Sequence, residues 1–188
     1  MSELYLLTTI TDRRYLPRYV VQYQKLGLNT GMIALGRGTV TGERARYFIG
    51  GTEKAVGFCF VTWDTWRKTK RGLLRELRID APGMGAAFLV QLSSIGGRRE
   101  LAFLTEGQEF HCTGEESALK GTALELLVIV SEQGYNEMVM DAARAAGARG
   151  GTVIHARGTG MERAERFFGI SIASEKDMTF IVLSSPSV

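Results

Sequence analysis

One short phrase occurs twice in this chain, as Gly36-Arg37-Gly38-Thr39 and as Ala156-Arg157-Gly158-Thr159-Gly160. The correspondence extends beyond it. Tyr15 and Tyr135, Gly27 and Gly147, Arg37 and Arg157, Gly38 and Gly158, and Phe48 and Phe168 pair off at one constant offset. An internal duplication constrains the fold more tightly than any single motif, because the second copy must approximate whatever the first folds into. The 188 residues leave room for two small units with cores of their own.

The first copy can be followed element by element. Leu4-Tyr5-Leu6-Leu7-Thr8-Thr9-Ile10 is a β-branched and apolar run that predicts a buried strand. Tyr15, Leu16, Tyr19, Val20, Tyr23 and Leu26 fall on one face of a helix, with Pro17 in its first turn and Gly27 just past its end. A strand from about 30 to 35 runs into Gly36-Arg37-Gly38-Thr39, and a charged loop with Glu43-Arg44-Ala45-Arg46 follows. Val56-Gly57-Phe58-Cys59-Phe60-Val61 predicts the next strand. Asp64 is then expected to cap a helix that turns Trp66, Leu73, Leu74 and Leu77 inward. The turn Ala81-Pro82-Gly83-Met84-Gly85 leads to a last strand, Ala87 to Leu92. This is the order βαββαβ, the split βαβ or ferredoxin-like unit.

Residues 95–123 are polar and glycine-rich and read as a connector. A hairpin is expected where Leu101–Leu104 and Gln108–Phe110 flank Glu106-Gly107. The plan then restarts. Leu126 to Val130 predicts a strand, and Tyr135, Met138, Val139, Ala142, Ala143 and Ala146 mark a helix face closed by Gly147. Thr152-Val153-Ile154 leads to the second glycine phrase, Glu175-Lys176 answer Glu53-Lys54, and Met178 to Leu183 is a strand. The fold expected is therefore α+β: tandem ferredoxin-like units at 1–94 and 124–188, with antiparallel sheets and helices on one face. The second unit reads as incomplete at its C-terminal end, which implies a shortened form of a longer chain or cover supplied by another chain.

Composition narrows the function classes. A formal charge of +3 suits small anionic ligands but is far below the basic loading of a dedicated nucleic-acid binder. Cys59 and Cys112 form no Cys-x-x-Cys, and His111-Cys112 have no companions at ligand spacing, so no metal site is expected. With no secretory signature and no apolar run of membrane-span length, the expected location is the cytoplasm. Neither a nucleophile paired with a base nor a Gly-Lys-Ser/Thr phosphate loop is present, which points to a non-enzyme.

Two glycines around an arginine at a strand end can expose main-chain N–H groups to an anion with a cation beside them. Arg37 and Arg157 would then grip a phosphate through paired donors. The plainer reading makes them solvated arginines, or partners of Glu43 and Glu162, with the glycines serving turns. His155 beside the second phrase is either a packed structural histidine or a ligand contact. Arg67, Lys68, Lys70, Arg71, Arg75 and Arg78 make a basic helix face, which is ordinarily solvated surface.

Tandem units carrying Leu35-Gly36-Arg37-Gly38-Thr39 and Ala156-Arg157-Gly158-Thr159-Gly160, with helix-ending Gly27 and Gly147, resemble the nitrogen regulatory protein P-II family, in a two-unit, short-loop form. The likeness covers the first unit and the second up to Leu183. It implies a trimeric, non-enzymatic signal-transduction protein that binds adenine nucleotide (ATP or ADP) between subunits and regulates a transporter or enzyme through a switch loop. Carried over, Gly36, Arg37, Gly38 and Thr39 stand at the base of one such loop. Arg157, Gly158, Thr159 and Gly160 stand at the base of the other, and Pro82-Gly83-Met84-Gly85 takes the place of the second phosphate-holding loop. Three departures stand out. The raised loops are short, so Tyr47 does not match the family's modified tyrosine. Ala86-Ala87 replace a lysine after Gly85, and no glutamine follows the first phrase, which argues against magnesium with 2-oxoglutarate. Two other classes compete. One is an oligomeric scaffold without ligand. The other is an RNA-binding module, disfavoured because Phe58 and Phe60 lie in a run suited to burial.

Overall fold

The computed structural model of the chain describes residues 4–28, 31–38, 53–110, 123–158 and 175–184. These form an α+β arrangement in two compact units, Met1–Ser117 and Ala118–Val188. In unit 1, β1 is Leu4–Asp12, α1 Leu16–Lys25, β2 Gly31–Arg37, β3 Glu53–Thr62, α2 Trp63–Arg75, β4 Gly85–Gln91 and α3 Arg98–Leu104. The strands lie in the order β4-β1-β3-β2, and every neighbouring pair is antiparallel.

Strand alternation sends Leu7, Cys59 and Val61 to one face of this sheet, where Tyr19 and Tyr23 of α1 and Leu73 of α2 close over them. Tyr19 and Tyr23 are one helical turn apart and meet edge to face, with ring centroids 6.3 Å apart. α1 stops where expected: Gly27 takes a φ of +78°, and the Leu28 N–H bonds back to the Tyr23 carbonyl at 2.9 Å.

Three expectations for unit 1 need correction. The cap of α2 is Thr62, whose hydroxyl accepts from the Thr65 N–H at 3.3 Å, and Asp64 sits within the first turn. Leu74 points outward at 40% exposure, because the buried stripe runs through Thr65, Thr69, Leu73 and on to Leu77 at steps of four, and Leu74 lies one residue to the side of it. The hairpin expected at Leu101–Phe110 is instead α3. Arg98-Arg99-Glu100-Leu101 are good helix formers, and that propensity overrides the turn signal of Glu106-Gly107. Phe103 is buried. The Gln108 carboxamide then docks on the end of β3, accepting from the Thr62 N–H at 2.9 Å and donating to the Phe60 carbonyl at 2.9 Å.

Unit 2 contains β5 (Leu124–Glu132), α4 (Asn136–Ala145), β6 (Thr152–Gly158) and β7 (Glu175–Ser184), with the antiparallel order β6-β7-β5. Its register repeats that of unit 1 pair for pair. Leu4 opposite Thr62 becomes Leu124 opposite Ser184, Asp12 opposite Lys54 becomes Glu132 opposite Lys176, and Arg37 opposite Glu53 becomes Arg157 opposite Glu175. The helix ends alike, with Gly147 at φ +97° and the Ala148 N–H on the Ala143 carbonyl at 2.9 Å. Among the described residues one core cluster is Met140, Ala148 and Ile181, with Ile129, Ala143 and Leu183 against them. Tyr135, Met138, Ala142 and Ala146 were expected inward and are exposed. Met138 stands where unit 1 has Arg18, a rim position whose guanidinium reaches the Glu76 carbonyl at 3.2 Å beside the end of α2. Among the described residues no helix is long and apolar enough to cross a membrane.

Candidate functional site

Antiparallel pairing gathers the C-terminal ends of β1 and β2 and the N-terminal ends of β3 and β4 at one end of unit 1's sheet. Charge concentrates there. Asp12, almost fully buried, caps the 3-10 turn Arg13–Tyr15 by accepting from the Arg14 N–H at 3.0 Å. The Arg14 guanidinium grips both of its oxygens, at 3.0 and 3.2 Å. That hydrogen bond holds the Asp12 carboxyl below the usual aspartate range against the opposing effect of burial, and raises Arg14 further. With Asp12 so occupied, the Lys54 ammonium stands off at 4.0 Å. On the other face of the sheet, Glu53 accepts from Arg13 at 3.3 Å. Arg37, directly across from Glu53, is exposed, and its side chain makes no hydrogen bond or ion pair to another described residue.

Gly36 and Arg37 are the last residues of β2, and Arg157 and Gly158 the last of β6. Their main chain runs in register within the sheets, where the sequence suggested amides standing bare in a loop. Gly38 follows β2 directly; Thr39, Thr159 and Gly160 lie outside the described residues, as do Glu43, Tyr47, Phe48, His111, Cys112, Glu162 and Phe168. Gly36 sits opposite Lys54, and a Cβ built on it would meet nothing within 4 Å.

The turn holding Gly83 and Gly85 is at the same end of the sheet, but on the β4 edge, with β1 and β3 between it and Arg37. Backbone geometry accounts for its glycines. Gly83 has a φ of +80°, and at Gly85, φ +148°, a Cβ would lie 2.3 Å from the Ile10 carbonyl oxygen. The Met84 carbonyl accepts from the Thr11 hydroxyl at 2.9 Å and the Tyr19 hydroxyl at 3.4 Å, which fastens the turn.

Unit 2 fills the same positions differently. Lys176, buried, donates directly to Glu132. His155 and Asp177 replace Leu35 and Ala55, with Nδ1 of His155 2.7 Å from a carboxylate that is 1% exposed. The other oxygen of Asp177 accepts from the Gly134 N–H at 3.2 Å, tying β7 to the turn before α4. Arg157 donates to Glu175 at 3.4 Å. His155 is thus a structural tie with its ring largely exposed.

Asp12, Glu132 and Asp177 were missed at the sequence level, and so was any role for Lys54 and Lys176. The usable signal was a charge inside an apolar strand run that recurs in the second copy. The basic positions Arg67, Lys68, Lys70, Arg71, Arg75 and Arg78 are all exposed, Phe58 is buried and Phe60 half-buried. Among the described residues no group of three or more His, Cys, Asp or Glu is placed to hold a metal ion. Comparison with protein-family models and with curated proteins found no match to the chain.

Proposed function

We propose that the chain is a P-II-like, non-enzymatic regulatory module built from tandem ferredoxin-like units. It senses an anionic effector of the adenine-nucleotide class at a sheet end and relays its presence to a protein partner. The observation that carries this reading is the repetition, in two units of matching strand register, of an arginine followed by glycine at the end of β2 and of β6. A strand end with cations on both faces suits a phosphate-bearing ligand. A regulatory effect requires that ligand to prefer one conformation of the chain over another. The β4-β1-β3-β2 order of unit 1 supports the ferredoxin-like assignment. Homo-oligomerisation, as a trimer by the P-II resemblance, and a cytoplasmic setting belong to the same proposal.

Calorimetric titration of ATP and ADP into the full chain tests it, with Gly38→Val and Gly158→Val as controls. Heat of binding from the parent that at least one of these variants loses supports the reading, and absence of heat from the parent overturns it. A ligand-free oligomeric scaffold is the competing reading, favoured by the exposed Leu124, Leu126, Leu127, Val130 and Val182 of unit 2. It predicts one solution mass with and without nucleotide.

A further inference from the structure

The sheet end of unit 1 and its counterpart in unit 2 share a register but not a charge balance. Among the described residues, the sheet end of unit 1 brings Arg13, Arg14, Arg37 and Lys54 together with Asp12 and Glu53. In unit 2, Lys176 and Arg157 face Glu132, Glu175 and Asp177. The positions of Arg13 and Arg14 are occupied there by Gln133 and Gly134, and that of Ala55 by Asp177. Among the described residues, cations outnumber carboxylates at one end and carboxylates outnumber lysine and arginine at the other.

The two lysines show the consequence. Lys176 is buried and committed to Glu132. Lys54 shares its carboxylate with Arg14, pairing with Asp12 only at 4.0 Å, and about a fifth of its side chain (19%) is exposed. Beside it, Gly36 leaves open space where Ala156 carries a methyl in unit 2.

We propose that only unit 1 holds the anion: a phosphate group seats over Gly36 against the Lys54 ammonium, with Arg14 on the same face and Arg13 and Arg37 on the opposite face of the same strand ends, so that the chain binds one ligand and not two. This rests on the anion-sensing reading above and assigns it to one of the two copies. In unit 2 the same positions are closed by internal ion pairs and serve the fold.

The test is ATP titration of the full chain by calorimetry, with tripolyphosphate as competitor. One site per chain is expected, and tripolyphosphate displaces ATP because the seat reads phosphate charge. Lys54→Gln and Gly36→Val each weaken ATP about ten-fold or more, the loss typical of a charge-assisted phosphate contact, while Arg157→Gln leaves affinity unchanged. A Cβ added at Gly36 meets no described atom within 4 Å, so Gly36→Val reads the ligand seat independently should Lys54→Gln prove unstable. Two equivalent sites, an Arg157→Gln defect as large as that of Lys54→Gln, unaltered affinity in Gly36→Val, or no displacement by tripolyphosphate would each overturn the assignment to unit 1 while ATP sensing itself survives. No heat from the parent chain overturns both.

Discussion

Leu7 and Leu127 occupy the same place in two copies of one sheet, yet 1% of the first is exposed and 42% of the second. The strands beneath them agree residue for residue. What differs is the cover. In unit 1, α1 and α2 both lie on this face, and Leu73 of α2 completes the packing. In unit 2 the described residues supply α4 alone. The two units therefore share a strand register while their described second layers differ, because cross-strand pairing is fixed by alternation along the chain and cover depends on distant residues. Inside the sheet the divergence is reciprocal. Unit 1 sets Thr9 opposite Gly57, and unit 2 sets Ile129 opposite Thr179.

The first way to break the comparison is to truncate the two leucines. Leu7→Ala is expected to cost about 2–5 kcal/mol in denaturant unfolding, the range for buried leucines. Leu127→Ala should cost well under half as much, and equal costs would show that both faces are covered in solution. Cys59 gives an independent readout of unit 1. Burial pushes its thiol up to about 12, so in a Cys112→Ser background it should resist alkylation at neutral pH until unit 1 opens, and Leu7→Ala should hasten labelling.

The next test uses opposite signs. In Gly57→Thr the new Cβ lies 2.9 Å from the Thr9 hydroxyl oxygen, so a loss of about 1–3 kcal/mol is expected from overpacking. At the matching position in unit 2, the Thr179 hydroxyl is fully buried without a hydrogen-bond partner. Thr179→Val should therefore raise stability, by about 1 kcal/mol, through removal of an unsatisfied polar group. Thermal melts of both variants read the signs directly.

Acid sharpens the contrast further. Asp12 titrates lower folded than unfolded, because Arg14 hydrogen-bonds its carboxylate. Its contribution is therefore fully present above the ordinary aspartate range and is lost as pH falls through the depressed folded value. Asp12→Asn should flatten the acid limb of the stability–pH profile, and an unchanged profile would contradict the Arg14 grip. The smallest effect belongs to Arg157→Ala. Its pair with Glu175 is exposed on both sides, and such pairs contribute at most about 1 kcal/mol.

Much of this architecture was legible in the residues. Gly27 and Gly147 marked two helix ends because a left-handed closing turn selects glycine, and the apolar runs marked seven strands because alternation and burial leave a local trace. α3 was not legible, since Glu106-Gly107 serves equally as a hairpin turn or as the exit from a helix. The inward face of α4 was misread for a different reason. Tyr135 matches Tyr15, which packs against the core of unit 1, while Met138 matches the rim position of Arg18, and local sequence does not distinguish a covered position from a rim. At the sheet end, the arginines were visible but the commitment of their partners was not. Whether Asp12 serves Arg14 or Lys54 depends on the turn that follows β1, and whether Lys176 is spoken for depends on a strand more than forty residues earlier.

Gln108 deserves a last consequence. β2 first pairs with β3 at Gly31 opposite Cys59, and the peptide groups of Phe60 and Thr62 are met by one carboxamide. A side chain, rather than a strand, finishes that border of the sheet. A border held by one residue can be unfastened without melting anything behind it. Gln108→Glu keeps the shape and the acceptor but removes the donor to Phe60, leaving that carbonyl bare at the border while the four strands stay paired.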